Sequence, residues 1–502
     1  MRTRSGEQSK WAAVLVLLLV LTTACSAGAA AAPQGDIVST RDGVLRGVVA
    51  SDHRTFSGIP FAAPPVGDLR WRSPAPVKPW SGVRDATRPA STCAQPDLSG
   101  KLIGSEDCLY LNVNAPVDAS SPRPVMVWLY GGGFVSGTGS DYDPTRLVEQ
   151  GVVVVTLNYR LGALGFLDGV DDPASGNFGL ADQQAALRWV RDNIAAFGGD
   201  PNNVTLFGQS AGAFSVCAQL ASPQAHGLFQ KAIIQSGPCA DPFVTGDVAK
   251  TRDAQWAAGL GCADIACLRS KPLSAVVAVD QEQVVTPLNR VQDLPWEPVA
   301  GTALLPTEPM DALRQGAAKG IPIIQGTTRD ELRSFVANEY NQRGQPLTAA
   351  EYPVVVGQVF GANASAVLAE YPLDHYPSPG VALATLLTDW GQKVGSCPAL
   401  ATDDVASQST AVYAYEFAQD SGTSVAGFEL GASHSGELPY LFGPPNELSQ
   451  KMIGYWTSFA KTGDPGWPRY SDGKVLSLGL DMIGEVDFGA DHHCSFWSGH
   501  SS

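Results

Sequence analysis

The sequence predicts an α/β fold with a central, mostly parallel sheet flanked by helices. Three observations carry that prediction. Short apolar runs at residues 125–129, 152–157 and 232–234 have the composition of strands buried on both faces. Helix-compatible stretches alternate with them, and that rhythm implies parallel pairing through crossovers. Finally, Gly208-Gln209-Ser210-Ala211-Gly212 lies between an apolar run at 204–207 and a helix-compatible run at 211–220. That is strand, sharp turn and helix, with a serine at the apex.

Taken in order, the elements fit this frame. Ile37-Val38 and Val44-Leu45 flank Asp42-Gly43, a hairpin signal. Residues 110–113 read as a short strand and 125–129 as a buried one. Residues 143–150 read as a helix with Pro144 near its first turn. The next buried strand spans 152–157. A helix over 182–197 places Leu187, Val190 and Ile194 on one face, and Gly198-Gly199-Asp200-Pro201 stops it. Strands follow at 204–207, 232–235, 321–324 and 412–415. The stretches 236–320 and 334–409 hold few strand signals and read as helical insertions packed over the sheet, where such insertions shape whatever pocket the strand ends leave. No repeat or clean boundary divides residues 36–502, which read as a single domain.

Of 502 residues, 44% are hydrophobic, and 11 are Trp and 18 Phe, enough for a large core. The net charge is −16, which repels phosphate backbones and argues against nucleic-acid binding. Arg2, Arg4 and Lys10 precede an apolar run at 11–21 that is too short to span a bilayer comfortably. Residues 1–24 therefore read as an export signal. Leu21-Thr22-Thr23-Ala24-Cys25 resembles a bacterial lipobox, which makes Cys25 the expected lipidation site and 25–35 a tether, with simple secretion as the alternative. No other stretch reads as long and apolar enough to cross a membrane. Without Cys25, eight of the nine cysteines remain, and an even number in an exported chain suggests four disulfides. Their spacing is not that of a metal site.

The chemistry starts at Ser210. In a chain with 53 glycines the pentapeptide alone is a weak signal, so the rest of the sequence must supply partners. Tyr130-Gly131-Gly132-Gly133-Phe134 follows directly on a buried strand. Its glycines let backbone N–H groups face a cavity, where with the N–H of Ala211 they can hold a developing oxyanion. A base is needed, and among seven histidines His434 stands out. It follows the last strand candidate and lies among small residues, Gly431-Ala432-Ser433-His434-Ser435-Gly436. An acid is needed to fix the imidazole tautomer. Asp330 and Glu331, just after the strand near 321–325, both qualify.

These residues resemble the type-B carboxylesterase/lipase family, which includes cholinesterases and bile-salt lipases. The resemblance runs from about Ile37 to Trp497. It is carried by Gly58-Ile59-Pro60-Phe61-Ala62, by residues 106–113 (EDCLYLNV), by the 130–134 turn, by Asn158-Tyr159-Arg160-Leu161-Gly162 and by Phe197-Gly198-Gly199-Asp200-Pro201. It implies an α/β-hydrolase fold and a serine carboxylester hydrolase needing no metal or cofactor. The implied nucleophile is Ser210, the base His434 and the acid Glu331, with an oxyanion hole of Gly132, Gly133 and Ala211. The implied disulfides are Cys93–Cys108, Cys262–Cys267 and Cys397–Cys494, which leaves Cys217 and Cys239 as the remaining pair.

Two departures matter. The family's elbow usually carries Glu before the serine, and here it is Gln209, so a charge near the triad is lost. None of residues 94–107 is aromatic, whereas cholinesterases place a tryptophan in that loop to hold a quaternary ammonium. A choline ester is therefore not the expected substrate. The expected substrate is a small-molecule or lipid ester. A long-chain lipase is the alternative within the family, and a non-catalytic binding protein on the same fold is the rival outside enzymology.

Overall fold

The computed structural model describes residues 35–500 apart from 98, 119–120, 279–285, 289–292 and 392–393. Cys25 and the expected export signal lie outside the described residues. Eleven strands form the main sheet. In chain order they are β1 (Val48–Val49), β2 (His53–Pro60), β3 (Tyr110–Pro116), β4 (Arg123–Leu129), β5 (Val153–Leu157), β6 (Gly199–Gln209), β7 (Lys231–Gln235), β8 (Ile323–Thr328), β9 (Val412–Phe417), β10 (Lys474–Leu478) and β11 (Ile483–Asp487). Their spatial order is β11-β10-β9-β8-β7-β6-β4-β5-β3-β2-β1. The pairings from β5 through β4 and β6 to β10 are parallel, and those at both margins are antiparallel.

The apolar runs behave as their composition demands. Every residue of β5, β7 and β8 is buried, because helices cover both faces of a parallel sheet. Helix α1 (Phe178–Asn193) packs Leu187 and Val190 into the core and ends in a 3-10 turn, Ile194–Phe197. Gly198 caps that end with φ 90°, a conformation glycine adopts without a Cβ penalty. Helix α2 (Ala211–Ala221) leaves the serine turn and is buried along its whole length. Helix α3 (Glu447–Thr462) covers the sheet from the other end of the chain.

Several elements differ from the sequence-based expectation. The helix expected over 143–150 is only one turn, Thr145–Val148, with Pro144 at its N-cap. Helix α1 begins at Phe178 rather than 182. The strand expected at 321–325 is β8, which starts at Ile323 and runs on to Thr328. Strands β10 and β11 follow His434, so that histidine does not follow the last strand. One described helical stretch beyond the N-terminal segment is long and apolar enough to cross a membrane, Tyr352–Glu370. Small residues dilute its signal in the sequence. It breaks at Gly361 (φ 51°) and buries Tyr352, Val356 and Val367 in the core.

Four disulfides close Cys93–Cys108, Cys217–Cys239, Cys262–Cys267 and Cys397–Cys494, the pairs the resemblance implies together with the remaining one. Cys217–Cys239 ties α2 to the segment after β7, close under the serine turn.

Candidate active site

Four strands deliver the site from their carboxyl ends. This is where an open parallel sheet leaves a crevice, and the order reversal of β6, β4 and β5 sets its position. Ser210 follows β6, with φ 55° and ψ −126°, a strained conformation that places it at the apex of the turn. Its N–H donates to the carbonyl of Gln235 at the end of β7 (2.9 Å), which fixes the turn to its neighbour. The glycines on either side are sterically required. A Cβ on Gly208 would meet the Gly212 backbone at 2.6 Å, and one on Gly212 would strike the Leu129 carbonyl. A Cβ on Gly131 would lie 2.9 Å from Cβ of Ser210, so the glycine turn after β4 runs directly beside the serine.

In that turn Gly132 has φ 118° and Gly133 φ 57°. A side chain on Gly132 would run into the Ser136 carbonyl. The carbonyl of Gly132 is occupied by Val135, Ser136 and the Ser136 hydroxyl. No acceptor among the described residues takes the N–H of Gly132 or Gly133. Ala211 is the first residue of α2, where helix N–H groups have no intrahelical partner. These three N–H groups are the ones the sequence singled out as oxyanion donors.

His434 sits on the loop after β9. Its Nδ1 lies 2.6 Å from Oε2 of Glu331, whose carboxylate is fully buried. The other oxygen, Oε1, accepts the N–H of Thr328 (2.8 Å), and the His434 N–H donates to the Glu331 carbonyl (3.3 Å). With Nδ1 facing a carboxylate, the proton resides there and Nε2 is left as the acceptor. Of the two acidic candidates, Glu331 meets the imidazole and Asp330 does not. Asp330 instead pairs with Arg329 and Arg333 and accepts the N–H of Ala432 (2.9 Å). Its own N–H donates to the Ala432 carbonyl (2.9 Å), so it pins the histidine loop to the end of β8.

Gln209, the departure noted in the sequence, ends against the imidazole: its Nε2 is 3.2 Å from Nε2 of His434. In the assigned orientation the amide donates to the unprotonated ring nitrogen. Phe335 covers the other side, its ring centroid 5.5 Å from that of His434.

A polar layer behind Glu331 and His434 was not legible as such. Glu437 is fully buried and accepts from Nε2 of Gln235 (3.1 Å), whose Oε1 takes the indole N–H of Trp456 (3.1 Å). Burial, and then the nearby Glu331 carboxylate, push the Glu437 carboxyl up to about 7. The sequence hinted at Gln235 only through its place at the end of an apolar strand, and at Trp456 not at all.

The site can therefore offer a hydroxyl on a strained turn, an oriented imidazole and a cluster of free N–H groups. The comparisons with known proteins point the same way. A model of the carboxylesterase family matches residues 34–497. Para-nitrobenzyl esterase of Bacillus subtilis (strain 168) is 38% identical over 482 residues, covering 89% of this chain and 94% of that protein. Fumonisin B1 esterase of Sphingopyxis macrogoltabida is 36% identical and covers 88% and 86%. The crystal protein of Dictyostelium discoideum is 37% identical and covers 85% and 82%. A solved structure of a PNB esterase superposes with a TM-score of 0.76 at 34% identity, over 91% of this chain and 99% of the other. With the mixed sheet, the serine turn and this breadth of similarity in hand, the chain belongs to the carboxylesterase family.

Proposed function

We propose that this enzyme hydrolyses carboxylic esters through an acyl-enzyme on Ser210. The Ser210 hydroxyl attacks the ester carbonyl carbon, and its proton passes to Nε2 of His434. Glu331 holds the ring and stabilises the imidazolium. The carbonyl oxygen, now an alkoxide, receives the N–H groups of Gly132, Gly133 and Ala211; one such donor contributes roughly 10²–10³ in rate. The bond to the alcohol oxygen then breaks, and the alcohol leaves with the proton from His434. Water, deprotonated by the same nitrogen, adds to the acyl group and releases the acid and free Ser210.

The observation that carries this reading is the 2.6 Å contact between Nδ1 of His434 and Oε2 of Glu331, with Nε2 on the other edge of the ring 3.2 Å from Gln209, the residue before Ser210 in the serine turn. The test is a panel of p-nitrophenyl esters graded from acetate to palmitate, run on wild type and Ser210→Ala. Wild type is expected to turn over the short esters, and the variant to lose about 10⁴-fold or more in kcat. A strong preference for palmitate makes the enzyme a long-chain lipase. Undiminished turnover by the variant refutes the assignment of Ser210.

The same reading takes residues 36–502 as one catalytic domain, exported by 1–24 and tethered to a membrane through lipidated Cys25. The lipobox-like pattern before Cys25 and the four disulfides support it, since paired cysteines persist in oxidising compartments.

A further inference from the structure

Away from the serine turn, a groove of about 310 Å³ runs between the C-terminal half of α1, the hairpin turn at Arg41-Asp42 and the extended segment Pro74 to Val77. Its α1 wall is formed by Ala185, Arg188, Trp189 and Asp192, the spacing of one helical stripe. The opposite wall is apolar, with Phe61, Pro76 and Val77.

The charges in this groove do not balance. Asp192 serves two guanidinium groups, Arg41 at 2.9 Å and Arg191 at 2.9 Å. Arg188, one turn back from Arg191, has no carboxylate and no hydrogen-bond acceptor among the described residues, although it is half-buried. A half-buried guanidinium that has given up part of its hydration is commonly paired, whereas the nitrogens of Arg188 stay open to the groove. Burial, with Arg191 beside it, pushes the Arg188 group down from its ordinary value. Asp42, the other carboxylate in the groove, is held up by burial, with Arg41 drawing it down and Asp192 pushing it up, and it makes no ion pair with Arg188. The surplus cation stands out in a chain of net charge −16.

We propose that this groove binds an organic carboxylate with an apolar body, its carboxylate on Arg188 and its body against Phe61, Pro76 and Val77. The planar fork of a guanidinium matches a carboxylate in two parallel hydrogen bonds. An apolar wall opposite a single unpaired cation selects for a ligand with one charged end and one greasy end. Carboxylates of this class are also what ester hydrolysis releases.

Isothermal titration of the full chain with benzoate tests the proposal, with benzyl alcohol and inorganic phosphate as the uncharged and the non-apolar arms. Benzoate is expected to bind one to one with a Kd on the order of 1 mM. Both Arg188→Gln and Val77→Glu should weaken it at least tenfold, while ester turnover and melting temperature stay at wild-type values. Using a variant from each wall keeps the test decisive if one of them folds poorly. Benzoate binding that survives both variants places the ligand elsewhere and overturns the proposal. So does equal binding of phosphate or benzyl alcohol, which removes the need for one half of the recognition, and so does the absence of saturable benzoate binding.

Discussion

At the scale of single residues, the site turns on which atoms face the two nitrogens of His434. Glu331 takes Nδ1 and Gln209 faces Nε2. The ionisable groups packed around them are Glu437 and Tyr415, and burial pushes both of these up. Gln209 is neutral where the family resemblance implies a carboxylate. Replacing it with Glu puts a negative charge against Nε2, which favours the imidazolium and leaves the base free only at higher pH. Gln209→Glu is therefore expected to move the acid limb of kcat/KM upward by about one pH unit, read from a pH–rate profile; an unmoved limb contradicts this reading of the contact. Asp330 and Glu331 show where residue-level reading reaches its limit. Both are acids at the end of one strand, and chemistry alone admits either. The extra residues of β8, through Thr328, set the turn so that Glu331 points to the imidazole and Asp330 grips the Ala432 backbone.

At the scale of elements, legibility followed burial. The continuous apolar runs of β4, β5 and β7 are the strands most plainly written, because a strand covered on both faces has no polar positions to confuse the pattern. Strand β2 was illegible as a strand: it carries Arg54, Ser57 and Gly58, yet Arg54 is fully buried and donates to the Phe197 carbonyl (3.0 Å). The early start of α1 was hidden for a similar reason. Gly179 there lowers helix propensity, but its missing Cβ lets the helix pack on the Arg160 carbonyl and on Phe166. The C-terminal elements carry a buried ionic knot no pattern revealed. His492 lies between Oδ1 of Asp389 (2.6 Å) and Oε1 of Glu416 (2.7 Å), joining β9 to the helix Pro379–Trp390. Burial opposes charge on this imidazole, but the two carboxylates outweigh it and push it up to about 10 from 6.5. The folded state thus holds the proton more tightly than the unfolded chain. That stability is fully present below pH 6.5 and is lost as pH rises through about 10. The melting temperature of wild type is expected to fall between pH 7 and 10.5. His492→Gln should start lower and show a flatter profile, and an equally steep fall in the variant would remove His492 as the cause.

At the scale of the whole molecule, Glu331, His434 and the serine turn come from distant parts of the chain, and they converge because parallel strands all end at one rim: Glu331 meets Nδ1 of His434, and Gln209 beside Ser210 meets its Nε2. The order of β6, β4 and β5 puts the glycine turn beside the serine, and β8 and β9 bring the acid and the histidine loop from the other side. The sequence announced the parts of this arrangement through local motifs. Their meeting, and the Gln235–Glu437–Trp456 layer behind them, depend on strand order and register, which no local pattern encodes. The proposed export and tethering are tested at this scale as well. The mature protein from a bacterial host is expected to begin at a diacylated or triacylated Cys25, measured as the mass of its N-terminal peptide; an unmodified N-terminus beyond residue 25 would mean simple secretion.

The central claim, that Ser210 is activated by His434 and Glu331, is tested most directly by covalent labelling. Wild type treated with a fluorophosphonate should gain a single adduct, mapped by mass spectrometry to the peptide holding Ser210. The labelling rate should fall by about 10³-fold or more in His434→Gln. An adduct on another residue while ester turnover is lost, or labelling of Ser210 at an unchanged rate without His434, would contradict the account.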